Sequence, residues 1–301
     1  MIHLNHAPTL SRPVLWAVML AVGISWGATT PLGKVAVSTG LHPIGITIWQ
    51  TFITAIVLSC VVCATGRRLP VRLPYLLFFL FLGLLGTAIP HPLGYLAARH
   101  LPASIISIVL AGVPMVTMLL TALVGIDRPT PRKIVGILLG LLAIVLIVLP
   151  DGSLPDPTKW IWVALPILSV LSYSTENVCI DKIRMPRLDP MVILCGLSWA
   201  AFFLTAPLAA LPGIWVNPFP LDHARLSVIV LTALHICAYS GLIWLIEKAG
   251  AVFATQVSYV VTISGVLIAI VFLGEAASPM IGIATALMLT GLTLVRPRHV
   301  Q

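Results

Sequence analysis

The sequence predicts an all-α polytopic membrane protein of ten transmembrane helices, arranged as two inverted-topology five-helix repeats. Three observations predict this fold: an apolar composition, apolar segments of membrane-spanning length, and a sequence echo between the halves. Of the 301 residues, 59% are hydrophobic and 9% are charged, whereas an ordinary soluble domain has roughly 45–50% and about 25%. Helices fit the long apolar runs better than barrel strands, which would have about 9–11 residues of alternating polarity.

Ten apolar segments are each close to the ~20 residues that a helix needs to cross a bilayer. The predicted spans are residues 13–33, 44–64, 73–97, 103–125, 133–150, 160–180, 190–211, 226–246, 250–273 and 278–295. The connections between them are too short for a separate soluble domain. A turn rich in proline and glycine at residues 150–155 divides the chain into a first repeat, 1–150, and a second, 151–301.

The first span follows Arg12, as the apolar region of a cleaved signal peptide follows its basic residues. Its run of about 20 apolar residues exceeds the usual 7–15 of such a region. We therefore predict that the first span is retained as a transmembrane helix.

The echo between the halves is an acid four residues before a proline. Asp127 precedes Pro131 in the first half, and Glu275 precedes Pro279 in the second. The same offset aligns Ala103 with Ala251. Because each half has an odd number of spans, the second copy is inverted across the bilayer. This is the design of secondary transporters, whose substrate site lies near the midplane between the repeats.

The distribution of basic residues predicts the orientation. Of the 17 lysines and arginines, four lie on the side opposite the termini, and the remaining thirteen lie on the side that carries both termini. The four are Lys34, Arg99, Lys159 and Arg225. The positive-inside rule then places both termini in the cytoplasm, in a multi-pass protein of the cell inner membrane. The net charge of +8 therefore indicates topology and lipid contacts and not a nucleic-acid partner.

Short motifs along nearly the whole chain carry a family resemblance. They are Trp26-Gly27 with Lys34, Tyr95-Leu-Ala-Ala, Leu101-Pro-Ala, Pro114, Asp127 and Glu275. Together with ten spans they resemble the EamA branch of the drug/metabolite transporter superfamily. The resemblance implies a ten-helix, exporter-like permease with a central cavity for amino acids, other metabolites or drugs. The chain departs from the pattern at Thr262, where repetition of Pro114 would place a proline, and at Glu247-Lys248, where many relatives are apolar.

Glu176 is the one acid well inside a predicted span. Charged groups in hydrocarbon are costly and usually face a cavity or each other. One interpretation is a proton-coupling carboxylate or a counter-ion for a cationic substrate, with Asn177 supplying a hydrogen bond. The other is a helix-end acid that pairs with Lys182 or another cytoplasmic base.

His91 lies between Pro90 and Pro92, which free nearby carbonyls and bend the helix. Exposed backbone at that depth is tolerated only where it lines a cavity or is covered by protein. Tyr95 follows one turn later, and Tyr239 is the repeat partner of His91, one turn after His235. We interpret this group as a cavity lining, with hydrogen bonding between helices as the alternative.

The remaining candidates are aromatic, amide and hydroxyl groups in the spans. Trp26 with Thr30 corresponds to Tyr173 with Asn177 in the second repeat. Aromatic linings suit a ring or a quaternary ammonium, although many such residues belong to interfacial belts. The substrate-cavity candidates are Trp26, Thr30, Trp49, Gln50, His91, Tyr95, Tyr173, Glu176, Asn177, His235, Tyr239, Gln256 and Tyr259.

These features predict a secondary transporter that moves a small metabolite by alternating access, and the family resemblance favours export of an amino acid or related compound. No GxxxxGK[ST] loop is present, so we expect transport to be driven by a proton or ion gradient, by exchange with a counter-substrate or by the substrate gradient itself, and not by ATP hydrolysis. We expect no catalytic residues, cofactor or metal, because no His-rich cluster has ligand spacing and Cys60-x-x-Cys63 reads as apolar packing. The alternatives are an importer of a vitamin or choline-like amine and, remotely, an intramembrane lipid-modifying enzyme, although HExxH and GxSxG are absent.

Overall fold

A computed structural model describes residues 12–126, 130–148, 156–183 and 188–295. Every regular element among these residues is helical. The α-helices are α1 Arg12–Ser38, α2 Pro43–Ala64, α3 Leu73–Gly83, α4 Pro90–His100, α5 Ala103–Leu110, α6 Val113–Leu123, α7 Pro131–Val148, α8 Ala164–Ile183, α9 Pro190–Thr205, α10 His223–Ala249, α11 Ala251–Ala254, α12 Val257–Leu273 and α13 Pro279–Val295. A π-helical turn, Leu84–Ala88, joins α3 to α4, and 3₁₀ turns at Pro157–Val163 and Ala206–Ala210 precede α8 and follow α9.

The chain is a multi-pass membrane protein. Within the described residues, seven helical stretches of 21–28 residues are long and apolar enough to cross a membrane. α12 and α13 are apolar helices of 17 residues each. Helix is present in each of the ten predicted spans, but the number of full crossings stays a prediction.

The two halves bend at different places. In the first half, the helix that begins at Ala103 is interrupted at Ala111 and Gly112, just before Pro114. In the second half, the interruption lies at Thr255 and Gln256, and α12 continues without a break through Thr262. A proline within a helix removes a backbone donor and clashes with the preceding turn. The exchange of Pro114 for Thr262 therefore accounts for the continuous second helix at that position.

Helix packing between the halves is reciprocal. α1 packs on α10 and α12, and its repeat equivalent, α8, packs on α4, α5 and α6. α2 packs on its own equivalent α9, and α7 on its equivalent α13. This is the pattern that the predicted two-fold relation between the repeats would produce. The predicted pairing of Asp127 with Glu275 lies outside the described residues.

Glycines permit the closest contacts between the halves. A Cβ added to Gly27 on α1 would lie 2.0 Å from the Ser264 Oγ of α12, and one added to Gly291 on α13 would lie 2.6 Å from the Gly136 carbonyl oxygen of α7. Side chains larger than hydrogen cannot fit at these distances. Residues 23–27 and 136–140 are GxxxG patterns, and a Cβ added to any of their four glycines would lie within 3 Å of a neighbouring helix.

We expect Gly291→Val to lower the stability of the protein, because the new side chain would meet the Gly136 carbonyl and the Met115 methyl group, 2.7 Å from the added Cβ. Overpacking of this kind typically costs about 1–3 kcal/mol. Gly282→Val on the same helix is the matched control, since nothing lies within 4 Å of its added Cβ. Thermal unfolding in detergent would measure both variants, and equal melting temperatures would contradict the close contact of α7 with α13.

The sequence predicts that Cys60 and Cys63 are apolar packing residues, and the structure places the cysteines differently from one another. Cys195 is buried, whereas Cys60 and Cys63 are exposed on the outer face of α2. The CxxC pair therefore does not fill the protein interior as expected.

Candidate functional site

A cavity of about 880 Å³ lies between the two halves. Both repeats line it, and among the described helices every one except α3 contributes a lining residue, as does the π-helical turn. Eleven of the thirteen predicted site residues face it, namely Trp26, Thr30, Gln50, His91, Tyr95, Tyr173, Glu176, Asn177, His235, Tyr239 and Tyr259.

Trp49 and Gln256 are not among the lining residues. The Trp49 indole N–H donates to the carbonyl of Val216 at 2.8 Å, and its ring lies 5.6 Å from that of Trp215, which is 56% exposed. Trp49 therefore belongs to an aromatic group on the outer side of α2. Gln256 sits at the interruption before α12, where its backbone N–H bonds to Phe253.

Six aromatic rings from four helices form one cluster along the cavity. The Trp26 ring lies 4.8 Å from Tyr239 and 6.0 Å from His235, and the His235 ring lies 5.9 Å from His91. The cluster consists of Trp26, His91, Tyr95, Tyr173, His235 and Tyr239, and we call it the aromatic cage. Such an array offers ring faces that attract a cation and ring edges that contact an apolar ligand.

Gln50 fixes two members of the aromatic cage. Its side-chain oxygen accepts a hydrogen bond from the Tyr95 hydroxyl at 2.5 Å and lies 3.1 Å from the His91 Nδ1. When Nδ1 carries the proton, the Nε2 atom of His91 is the acceptor on the other side of the ring. Gln50 is 3% exposed, so the amide is a rigid support that orients both side chains.

Glu176 lies against the π-helical turn. α8 continues to Ile183, seven residues beyond Glu176. A Cβ on Gly86 would lie 2.3 Å from the Glu176 Oε1, which means that the carboxylate occupies the space left by the missing side chain. No hydrogen bond or ion pair to this carboxylate comes from the described residues. The side chain of Lys182, the alternative partner, lies outside them.

Two serines on α8 donate hydrogen bonds to backbone carbonyls in the π-helical turn and at the start of α4. Ser172 donates to the carbonyl of Leu85 at 2.6 Å and Ser169 to that of Pro90 at 3.1 Å. Backbone groups in a membrane interior need partners within the protein. These bonds therefore stabilise the π-helical turn that brings Gly86 to Glu176, and π-helical turns are frequent at functional sites.

One end of the cavity reaches the helix ends that carry most of the basic residues. Ile126, Lys133, Ile246 and Val295 line this end. Lys133 is 8% exposed and lies two residues into α7. The other end of the cavity stops at Ala98 and Ile106, near the connection between α4 and α5.

Near that second end, Glu275 caps a helix of the other half. Its carboxylate accepts from the backbone N–H of Ala103 at 2.6 Å, and from the N–H and hydroxyl of Ser104 at 3.0 Å and 2.6 Å. Lys34 donates to the carbonyl of Leu101 at 2.5 Å and lies 4.0 Å from Glu275. Three motifs of the family resemblance, those of Lys34, Leu101-Pro-Ala and Glu275, thus meet in one contact, which we call the Lys34–Glu275 bracket.

The prediction from sequence missed the hydroxyl groups and the glycine of the lining. Thr51 and Thr54 follow Gln50 on one face of α2, and this polar stripe at helical spacing was a signal that could have identified them. Gly86 had no such signal, because a glycine in a membrane helix usually serves packing. Among the described residues, no group of three or more histidine, cysteine, aspartate or glutamate side chains could hold a metal ion.

A family model and a distant relative both point to a transporter. A sequence model of the EamA-like transporter family matches residues 13–149 and 160–296. A protein of Streptantibioticus cattleyicolor named "Probable terminal-alkyne amino-acid exporter" is 23% identical over 96% of this chain and 95% of its own length. A crystal structure of another protein, 20% identical, superposes with a TM-score of 0.64 over 94% of this chain and 96% of that chain, which is a likeness of fold.

Proposed function

Since the chain belongs to the EamA-like transporter family, we propose that it is a secondary transporter that exports an amino acid or a related small metabolite. The name of the Streptantibioticus relative supports the substrate class and the direction. The observation that carries the proposal is the cavity between the two repeats, lined by the aromatic cage and Glu176. Its volume of about 880 Å³ is in the range of sites for small molecules.

Alternating access supplies the mechanism. The Lys34–Glu275 bracket closes one end of the cavity, while the other end extends to Lys133 and Val295. A rocking motion of the repeats would separate Glu275 from Ala103 and close the end near Lys133. If the protein lies in the inner membrane with both termini on the cytoplasmic side, the closed end of the cavity faces outward and the substrate enters from the cytoplasm.

Glu176 is the proposed link to an ion or proton gradient. It is the one acid among the described lining residues, and a carboxyl group can carry either a proton or a positively charged ligand. His91 and His235 are the other titratable candidates in the cavity.

Proteoliposomes containing the purified protein test the proposal. Vesicles loaded with propargylglycine, proteinogenic amino acids, choline or thiamine would be diluted into ligand-free buffer, and efflux would be compared with that of protein-free vesicles. Protein-dependent efflux of an amino acid is the expected result. Efflux of choline or thiamine alone would favour the import alternative, for which the aromatic cage is the supporting observation, and no efflux of any compound would contradict the proposal.

We expect both termini to lie in the cytoplasm, because the helix ends on that side carry thirteen of the 17 basic residues. A reporter active only in the periplasm, fused after Gln301, should be silent, and a cytoplasmic reporter at the same position should be active. The opposite result would reverse the proposed direction of entry into the cavity.

A further inference from the structure

We propose that the cavity binds a positively charged nitrogen of its ligand at Glu176, so that the transported compound carries an ammonium group on an apolar or aromatic body. This inference rests on the proposed transport function and names the chemistry of its substrate. The ammonium could belong to a simple amine or to the amino group of an amino acid, and the experiment below separates the two.

The described lining of the cavity carries few charged side chains. Among the described lining residues, Glu176 is the one acid and Lys133 the one lysine or arginine, and Lys133 lies at the end near the start of α7. An ionised group within a membrane protein is costly unless it is paired. The described side chains give Glu176 no such partner, so a cationic ligand is the group that would compensate its charge.

The Glu176 carboxylate lies beside the aromatic cage. Tyr173 and Glu176 are three residues apart on α8, which puts both on the same helix face. The Tyr173 ring lies 6.5 Å from that of His91, while the Glu176 carboxylate lies over Gly86, five residues before His91. The carboxylate and the cage thus border the same space between α8 and the stretch from the π-helical turn to α4.

A carboxylate beside aromatic rings favours a ligand with a positively charged nitrogen on a carbon body. A carboxylate attracts an ammonium group through a charge-assisted hydrogen bond. Ring faces of tryptophan and tyrosine attract the same cation and also contact the carbon atoms that carry it. An anion would meet the carboxylate without a compensating charge beside it, so we expect the site to reject a ligand that carries only a negative charge.

The test uses the purified full chain and three ligands that share a phenethyl body. Phenethylamine carries a positive charge, phenethyl alcohol none and hydrocinnamate a negative one. Binding is followed by tryptophan fluorescence or calorimetry. We expect the amine to bind about tenfold or more tightly than the alcohol, since it gains a charge-assisted hydrogen bond, and hydrocinnamate to bind most weakly. Phenylalanine, as a fourth ligand, reports whether a carboxylate beside the amine is tolerated.

Glu176→Gln should remove the preference for the amine, whereas Glu247→Gln should retain it. Glu247 is the matched control, because it is an exposed acid near the end of α10 and outside the cavity lining. If Glu176→Gln fails to fold, as judged by circular dichroism, Gly86→Ala provides a second way to displace the carboxylate. Equal binding of amine and alcohol, no binding of the amine by the folded protein, or a preference that survives both variants would overturn the ammonium site.

Failure of this inference and failure of the transport function remain distinguishable. Amino-acid efflux that is equal for the wild type and Glu176→Gln would refute the ammonium site and leave transport intact. Preferential binding of the amine without efflux of any compound would support the site and refute transport.

Discussion

Gly86→Ala is expected to reduce transport by about tenfold or more while leaving the protein folded. The new methyl group would lie 2.3 Å from Glu176 Oε1 and 2.6 Å from Oε2, so the carboxylate must move out of its place. Loss of a hydrogen bond to a charged group costs about 1.5–3 kcal/mol, and roughly 1.4 kcal/mol corresponds to tenfold in affinity. The end of a flexible side chain moves at little cost, and alanine is itself the better helix former. Stability should therefore hardly change.

Gly94→Ala is the control for this prediction. Gly94 also lines the cavity and lies on α4, but nothing is within 4 Å of its added Cβ. Efflux from proteoliposomes and thermal unfolding would be measured for both variants. If Gly86→Ala transports as well as Gly94→Ala, the position of the Glu176 carboxylate has no role in transport.

Glu275→Ala is expected to destabilise the protein by about 2–4 kcal/mol, because three donors lose a charged acceptor that is only 9% exposed. Glu275→Gln keeps an acceptor and should have an intermediate effect. The substitution should destabilise the present conformation more than a conformation in which Glu275 and Ala103 are already apart. The cavity end near Ala98 should then become accessible to a reagent added from that side.

Asp189→Ala is a suitable comparison for Glu275→Ala. Asp189 also caps a helix, by accepting from the N–H of Met191 at 2.9 Å, but its side chain is 31% exposed. We expect about 1 kcal/mol for the loss of this cap. Melting temperatures of the two variants decide between the expectations. A smaller effect at Glu275 than at Asp189 would show that the Lys34–Glu275 bracket is not a stabilising contact between the repeats.

The helical membrane fold and the two-repeat architecture followed from the sequence, because a bilayer sets the length of an apolar helix and the repeats share an offset. Trp49 shows where such reasoning fails. Its neighbour Gln50 faces the cavity, but adjacent residues on a helix point about 100° apart, so a place beside a lining residue does not by itself put Trp49 in the lining. The position of Trp49 is fixed by the distant carbonyl of Val216, a tertiary contact without a local signal.

The roles of Glu275 and Gly86 depend on contacts between distant parts of the chain. The echo of acid and proline identified Glu275 as a repeated feature, but its partners at Ala103 and Ser104 belong to the other repeat. Likewise, the space over Gly86 depends on the π-helical turn and on Ser172, which bonds the Leu85 carbonyl. Neither contact is encoded by spacing within one segment.

In the Lys34–Glu275 bracket the carboxylate accepts hydrogen bonds mainly from backbone amides. These partners determine how strongly salt weakens the contact. A free pair of exposed charges weakens as ionic strength rises, because the screening length is only about 8–10 Å near physiological concentration. Glu275 is 9% exposed and lies 2.6–3.0 Å from its amide and hydroxyl donors, closer than the 4.0 Å to Lys34. We therefore expect the contact of Glu275 with Ala103 and Ser104 to tolerate changes in ionic strength.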